Sequence, residues 1–151
     1  MRVHINIGSN QGDSRALIGQ AVALIASRWP SATVATAGPV ESEPWGYRSS
    51  CRFLNLALML DNAPAEPPEA VLDALQAIEL AVGGGAPHRT PEGLYCDRPI
   101  DIDIIDIDGI ELSTPRLTLP HPRAALRPFV IEPLRSLDPA TARAIIEAAS
   151  R

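Results

Sequence analysis

The run Asp97-Arg98-Pro99-Ile100-Asp101-Ile102-Asp103-Ile104-Ile105-Asp106-Ile107-Asp108-Gly109 interleaves carboxylates with isoleucines. β-Branched residues favour extended backbone, so residues 100–107 are expected to form a strand. Alternation then puts Asp101 and Asp103 on one face, followed on that face by Ile105 and Ile107. Two carboxylates one pleat apart repel each other. If both stay ionised in a partly buried place, a positive charge belongs beside them. Hard oxygen ligands suit Mg²⁺, which takes one or two carboxylates and completes its shell with water and substrate phosphates. The spacing alone fits a solvated edge strand equally well, so context must decide. Asp108-Gly109 suits a tight turn after the strand.

The chain has 151 residues and is expected to form one domain, residues 1–151, with a core of its own. A hydrophobic fraction of 46% and a mean hydropathy of +0.05 fit a globular protein. A net charge of −5 argues against general nucleic-acid binding, although local arginines can still hold a small anion. No apolar run approaches transmembrane length and no signal peptide is evident, so a cytoplasmic location without a membrane partner is expected. Cys51 and Cys96 have no ligand-like spacing, which suggests neither a zinc site nor a disulfide framework.

Positioning the aspartates requires the rest of the chain. Residues 2–8 read as a first strand with Val3, Ile5 and Ile7 on one face and His4, expected to be solvent-exposed, on the other. The loop Gly8-Ser9-Asn10-Gln11-Gly12-Asp13 leads to a helix over 14–28, capped by Asp13, with Leu17, Ala21, Leu24 and Ile25 as its apolar stripe. Residues 32–40 and 53–60 read as the second and third strands. Asn55 is the polar exception in the third; its amide either satisfies a backbone group or faces a polar heterocycle. Pro67-Pro68 starts a second helix with Val71, Leu72, Leu75, Ile78 and Val82 inward. Gly83 to Gly85 end it, and a long loop over 83–96 carries His88, Arg89 and Tyr95. Phe129-Val130-Ile131 reads as a further strand, and Asp138-Pro139 opens a helix over 140–150. The order β-α-β-β-α-β plus a C-terminal extension is the ferredoxin-like α+β pattern: an antiparallel sheet with helices packed on one face.

Taken together, these segments form a recognisable set. They are Gly-Ser-Asn after the first strand, Glu43-Pro44-Trp45-Gly46 before Phe53-Leu54-Asn55, and Glu79 near the end of the second helix. Arg98-Pro99-Ile100-Asp101-Ile102-Asp103 and Leu119-Pro120-His121-Pro122-Arg123 complete it. In this order and at these spacings the chain resembles the 6-hydroxymethyl-7,8-dihydropterin pyrophosphokinase family of folate biosynthesis, from about residue 3 to 135. The resemblance implies transfer of the β,γ-pyrophosphoryl group of ATP, the co-substrate, to the hydroxymethyl oxygen of a reduced pterin, with AMP released. It implies two Mg²⁺ ions held by Asp101 and Asp103, with Arg98 beside them as a catalytic cation. The pterin positions fall on Gly8, Ser42, Glu43, Trp45, Phe53, Asn55 and Phe129, with Tyr95 as the second stacking aromatic. The ATP positions fall on Arg98, Arg116, Thr118, His121 and Arg127, with Arg123 added from the same segment and Arg89 from the loop. A monomer is expected.

The chain also departs from the family pattern. Many members have Gly-Arg after the second helix; here the run is Gly83-Gly84-Gly85-Ala86, and Arg89, together with His88, is expected to replace that charge from a shifted position. Many have Trp at Tyr95 and Tyr at Phe53, and some have Tyr at Pro122. Two other readings compete: a pterin- or nucleotide-binding module without chemistry, and another Mg²⁺-dependent phosphotransferase. The triple glycine fits a lid that closes over two substrates.

Overall fold

The computed structural model describes residues 1–44, 47, 49, 51–85, 89–92 and 97–151. Trp45, His88, Tyr95 and Cys96, singled out above, lie outside the described residues. The elements run β1 (Val3–Ser9), α1 (Ser14–Arg28), β2 (Thr33–Ser42), β3 (Phe53–Asp61), α2 (Pro68–Gly83), β4 (Asp101–Ile107), β5 (Leu112–Ser113) and β6 (Thr118–Leu119). A short 3₁₀ turn at Ala124–Leu126, α3 (Pro128–Leu137) and α4 (Pro139–Ala149) follow. The main sheet has the order β2-β3-β1-β4 with every pair antiparallel, which is the ferredoxin-like arrangement. β5 and β6 pair as a separate two-stranded ribbon.

Strand alternation assigns the two faces. Val3, Ile5 and Ile7 of β1 join Leu56, Leu58 and Leu60 of β3 and Ile102, Ile104 and Ile107 of β4 in the main core. α1 and α2 close that core. α1 buries Ile18, Ala21 and Ile25 and leaves Leu24 39% exposed, so its inward stripe includes Ile18 where Leu24 was expected. Asp13 caps α1 through the Ala16 N–H, and Gly84, in the left-handed region at φ 65°, ends α2.

The other face corrects three expectations. Phe129-Val130-Ile131 is not a strand; it opens α3. A short apolar run does not distinguish a strand from a buried helix. Here Pro128 occupies the first helical position, and Val130, Ile131 and Leu134 share the buried side. α3 lies across β2 and β3, so helices cover both faces of the sheet, and a second core forms around Ile105, Val130, Ile131, Leu134 and Ile145. The register between β1 and β4 shifts at His4/Ile5. Ile105 is the extra residue, and this bulge turns Ile107 back to the main core, away from the aspartate face.

His4 is buried, not exposed, at 1%. Its Nε2 lies 3.0 Å from Asp138 Oδ2, which also accepts hydrogen bonds from Arg2 at 3.1 Å and the Thr141 hydroxyl at 2.8 Å. Asp138 Oδ1 caps α4 through the Thr141 N–H. Burial alone would raise this carboxyl, but the Thr141 and His4 hydrogen bonds overcome it and hold the pKa at about 2. Asp138→Ala therefore loses a helix cap and strands the buried His4 ring. Its stability should fall by about 3 kcal/mol at pH 7, measured by urea unfolding. A folded pKa below the unfolded one makes this contribution complete above about pH 4 and fade as the pH falls toward 2, so the gap between the two proteins should narrow there.

Candidate active site

Register turns the second face of the sheet into rows. Asn55 of β3, Gly8 of β1 and Asp101 of β4 stand side by side. The next row is Ala57, Asn6 and Asp103, and the one beyond is Met59, His4 and Asp106. All of the first two rows except Ala57 line the floor of one cleft. Gly8 keeps that floor low: a Cβ there would lie 3.3 Å from Asn55 Oδ1 and 3.6 Å from Phe53.

The walls come from the elements that flank the floor. Ser42, Glu43 and Phe53 line one side, Arg98 stands at the entry to β4, and Arg127 and Phe129 descend from the start of α3. The structure thus gathers Gly8, Ser42, Glu43, Phe53, Asn55, Arg98, Asp101, Asp103, Arg127 and Phe129 around one cavity. Asn55 is 2% exposed; its Nδ2 donates to Ser42 Oγ at 2.8 Å and to Val40 O at 3.5 Å, so its amide both satisfies backbone and borders the cleft. The Glu43 side chain turns outward to Arg52, 3.4 Å away.

Each aspartate has an arginine nearby. Arg98 Nε is 3.6 Å from Asp101 Oδ2, and the Arg98 guanidinium lies 5.2 Å from the Phe53 ring centre. Arg127 Nη1 is 4.0 Å from Asp103 Oδ2, and its guanidinium lies 5.9 Å from the Phe129 ring centre. These cations do not fully offset the surroundings. Burial, then the charge of Asp101, raises the Asp103 carboxyl well above the ordinary carboxylate range. Glu79 reaches the same strand from α2 and accepts the Ile102 N–H at 2.7 Å, pinning the backbone between the two aspartates. Burial pushes Glu79 up to about 7; the Ile102 hydrogen bond opposes that shift and the Asp101 charge adds to it.

His121 sits at the edge of this field. Its backbone N–H bonds Ile105 O at 2.9 Å, tying the segment to β4. Burial, then the charge of Arg127, lowers its pKa to about 4, so the ring is neutral at pH 7. Nδ1 accepts the Arg123 N–H at 3.1 Å, which leaves the proton on Nε2 as a donor.

Other expected ATP residues lie outside the cleft. Arg116 is bound to α2, 2.6 Å from Asp73 Oδ1, 3.2 Å from Gln76 Oε1 and 3.5 Å from Glu69. Thr118 and His121 line a more open groove of about 530 Å³ between the β5–β6 ribbon and α4. Arg89 is exposed in the loop after α2, and Arg123 is exposed beside His121. The sequence reading missed Asn6. It lines the cleft next to Asp103, is 6% exposed, and its buried Oδ1 has no hydrogen-bond partner among the described residues. The available signal was its place on β1, two residues from Gly8 on the same face.

A de novo designed protein with a ferredoxin fold, solved by NMR in solution, matches 75% of this chain and 92% of its own at a TM-score of 0.37 and 13% identity; the fold assignment rests on the strand order itself. The 2-amino-4-hydroxy-6-hydroxymethyldihydropteridine pyrophosphokinase of Porphyromonas gingivalis is 34% identical over 139 residues, covering 91% of this chain and 90% of that protein. The enzymes of the same name from Methylorubrum extorquens and Bacillus subtilis are 33% and 32% identical, covering 91% and 89% of this chain and 83% and 76% of their own. The model of the 7,8-dihydro-6-hydroxymethylpterin-pyrophosphokinase family matches residues 4–139, a span that runs from the first sheet strand past the last wall of the cleft, and the chain belongs to that family.

Proposed function

We propose that this chain transfers the pyrophosphoryl group of ATP to 6-hydroxymethyl-7,8-dihydropterin, giving the pterin diphosphate and AMP, in folate biosynthesis. The observation that carries the residue assignment is the gathering of Asp101, Asp103, Arg98, Arg127, Asn55 and two phenylalanines around one cleft. In the reaction, the hydroxymethyl oxygen bonds to the β-phosphorus as the bond from that phosphorus to the α-phosphate oxygen breaks. The hydroxyl proton is lost and AMP departs. No covalent enzyme intermediate is required, so positioning and charge are the protein's main tasks.

The pterin is a flat, hydrogen-bonding heterocycle. Phe53 and Phe129 offer it aromatic faces, and the Asn55 amide addresses its polar edge. Asn6 Oδ1 supplies a further acceptor on the floor. Arg98 and Arg127 offer forked donors to phosphate oxygens, and neutral His121 offers Nε2–H without adding charge.

The donor set fits Mg²⁺. Two carboxylates share one face, and burial makes ionised Asp103 costly without a nearby cation. Two carboxylates do not fill the shell of Mg²⁺, so substrate phosphate and water would complete it. Bound there, Mg²⁺ would neutralise the polyphosphate charge. Asp101 and Asp103 would hold it, and Glu79, through Ile102, fixes the backbone that carries both.

AMP formation from ATP and Mg²⁺, with and without the pterin, tests the reaction. Pterin-dependent AMP is expected; ADP would indicate an ordinary kinase, and pterin binding without nucleotide product a non-catalytic module. Asp101→Asn and Asp103→Asn should each lower kcat by about 10²–10³-fold, with pterin affinity within about threefold of the parent. Gly8→Ala should raise KM for the pterin by about tenfold and that for ATP much less, because the added methyl occupies the pterin floor. In the ligand-free protein the His121 ring should stay neutral from pH 8 to pH 5 and protonate only near pH 4, as followed by NMR titration.

A further inference from the structure

One polar cluster joins the two loops that frame the cleft, and the mechanism above does not use it. Asn10, 4% exposed, follows the end of β1. Its backbone N–H donates to Arg98 O at 3.1 Å and its Oδ1 accepts the Arg98 N–H at 2.9 Å, so the Arg98 backbone is held from both sides. Asn10 Nδ2 is within reach of Asp97 Oδ1 at 2.8 Å, the Tyr47 hydroxyl at 2.9 Å and Cys51 O at 3.2 Å. Asp97 completes the cluster: Oδ1 accepts the Tyr47 hydroxyl at 3.0 Å and Oδ2 accepts the Ser49 hydroxyl at 2.9 Å.

These bonds run in one direction of charge. Burial opposes ionisation of Asp97, but the Ser49, Tyr47 and Asn10 donors hold its pKa below the usual range. Burial pushes Tyr47 up to about 12, so its hydroxyl remains a donor. The cluster touches both halves of the cleft. The Tyr47 ring meets the Phe53 ring edge-on, with centres 6.4 Å apart at 89°. The residue after Asp97 is Arg98, which stands 3.6 Å from Asp101.

We propose that Asp97 is a positioning residue that ties the pterin-side loop to the phosphate-side arginine, so that each substrate raises affinity for the other. The inference rests on the function proposed above. A ligand that settles against Phe53 orders Tyr47. Tyr47 then orders Asp97 and the backbone of Arg98, and the same free energy acts in reverse when phosphates engage Arg98. The cluster supplies the physical link that such coupling needs, since its hydrogen bonds are shared by both loops and meet at Asn10, next to the end of β1.

The test is a binding cycle by calorimetry. Affinity for 6-hydroxymethylpterin is measured alone and with saturating Mg²⁺ and α,β-methylene-ATP, for the parent, Asp97→Ala, Asp97→Asn and Tyr47→Phe. The parent should bind the pterin about fivefold or more tightly with nucleotide present, a coupling of ordinary size. The ratio should fall to within about twofold of unity in Asp97→Ala and Tyr47→Phe. It should recover in part in Asp97→Asn, which keeps an acceptor for Tyr47. A ratio unchanged in Asp97→Ala would overturn the proposal. So would a parallel loss of both affinities that tracks a lowered Tm, because that marks a purely structural role. A parent that binds neither ligand would overturn the functional reading as well, whereas tight binding of both with equal ratios in every protein would remove the coupling alone.

Discussion

The register of β1 against β3 and β4 governs the rest of this structure. Gly8 opposes Asn55 on one side and Asp101 on the other, and Asn6 opposes Asp103. Side chains in a strand alternate, so a slip of one residue would send both aspartates into a layer of isoleucine and leucine. Hydrophobic burial of Val3, Ile5 and Ile7 under α1 and α2 prevents that slip. The apolar face of the sheet therefore fixes the polar one, and the cleft inherits its precision from packing on the opposite side.

Much of this was readable from residue types because two simple periods carry it. Alternation located β1, β3 and β4, and capping residues located the starts of α1 and α4. Asp101 and Asp103 fell together because one pleat separates them. What escaped depends on contacts between distant segments. α3 was misread because Phe129-Val130-Ile131 is short, apolar and β-prone, and only its docking over β2 and β3 makes it a helix. The bulge at Ile105 left no local mark in a run where isoleucine is everywhere. His4 looked solvent-facing because nothing near it in sequence reveals Asp138, which meets it from the far end of the chain. Arg116 matched the family motif, yet its strongest partners here are the carboxylates of α2.

The electrostatics are layered in a consistent way. The centre of the cleft carries the Asp101 and Asp103 carboxyls, and arginines flank it from two different elements. His121, between positive neighbours, is held neutral. A neutral donor beside the two arginines keeps total charge low while retaining direction, which suits a site that must accept a polyanion and a neutral ring together.

The clasp at Asp138 carries a consequence for how this protein is made. β1 pairs with a strand about a hundred residues later, and Arg2 and His4 meet Asp138 later still. During synthesis, β1 must wait for β4 before the sheet is complete, and the wall carrying Arg127 and Phe129 can be fastened only after residue 138 has left the ribosome. Such distant closures slow folding. Until that fastening, the half-built cleft exposes its aspartates and the backs of β1 and β3, so ligand recognition waits on the arrival of residue 138.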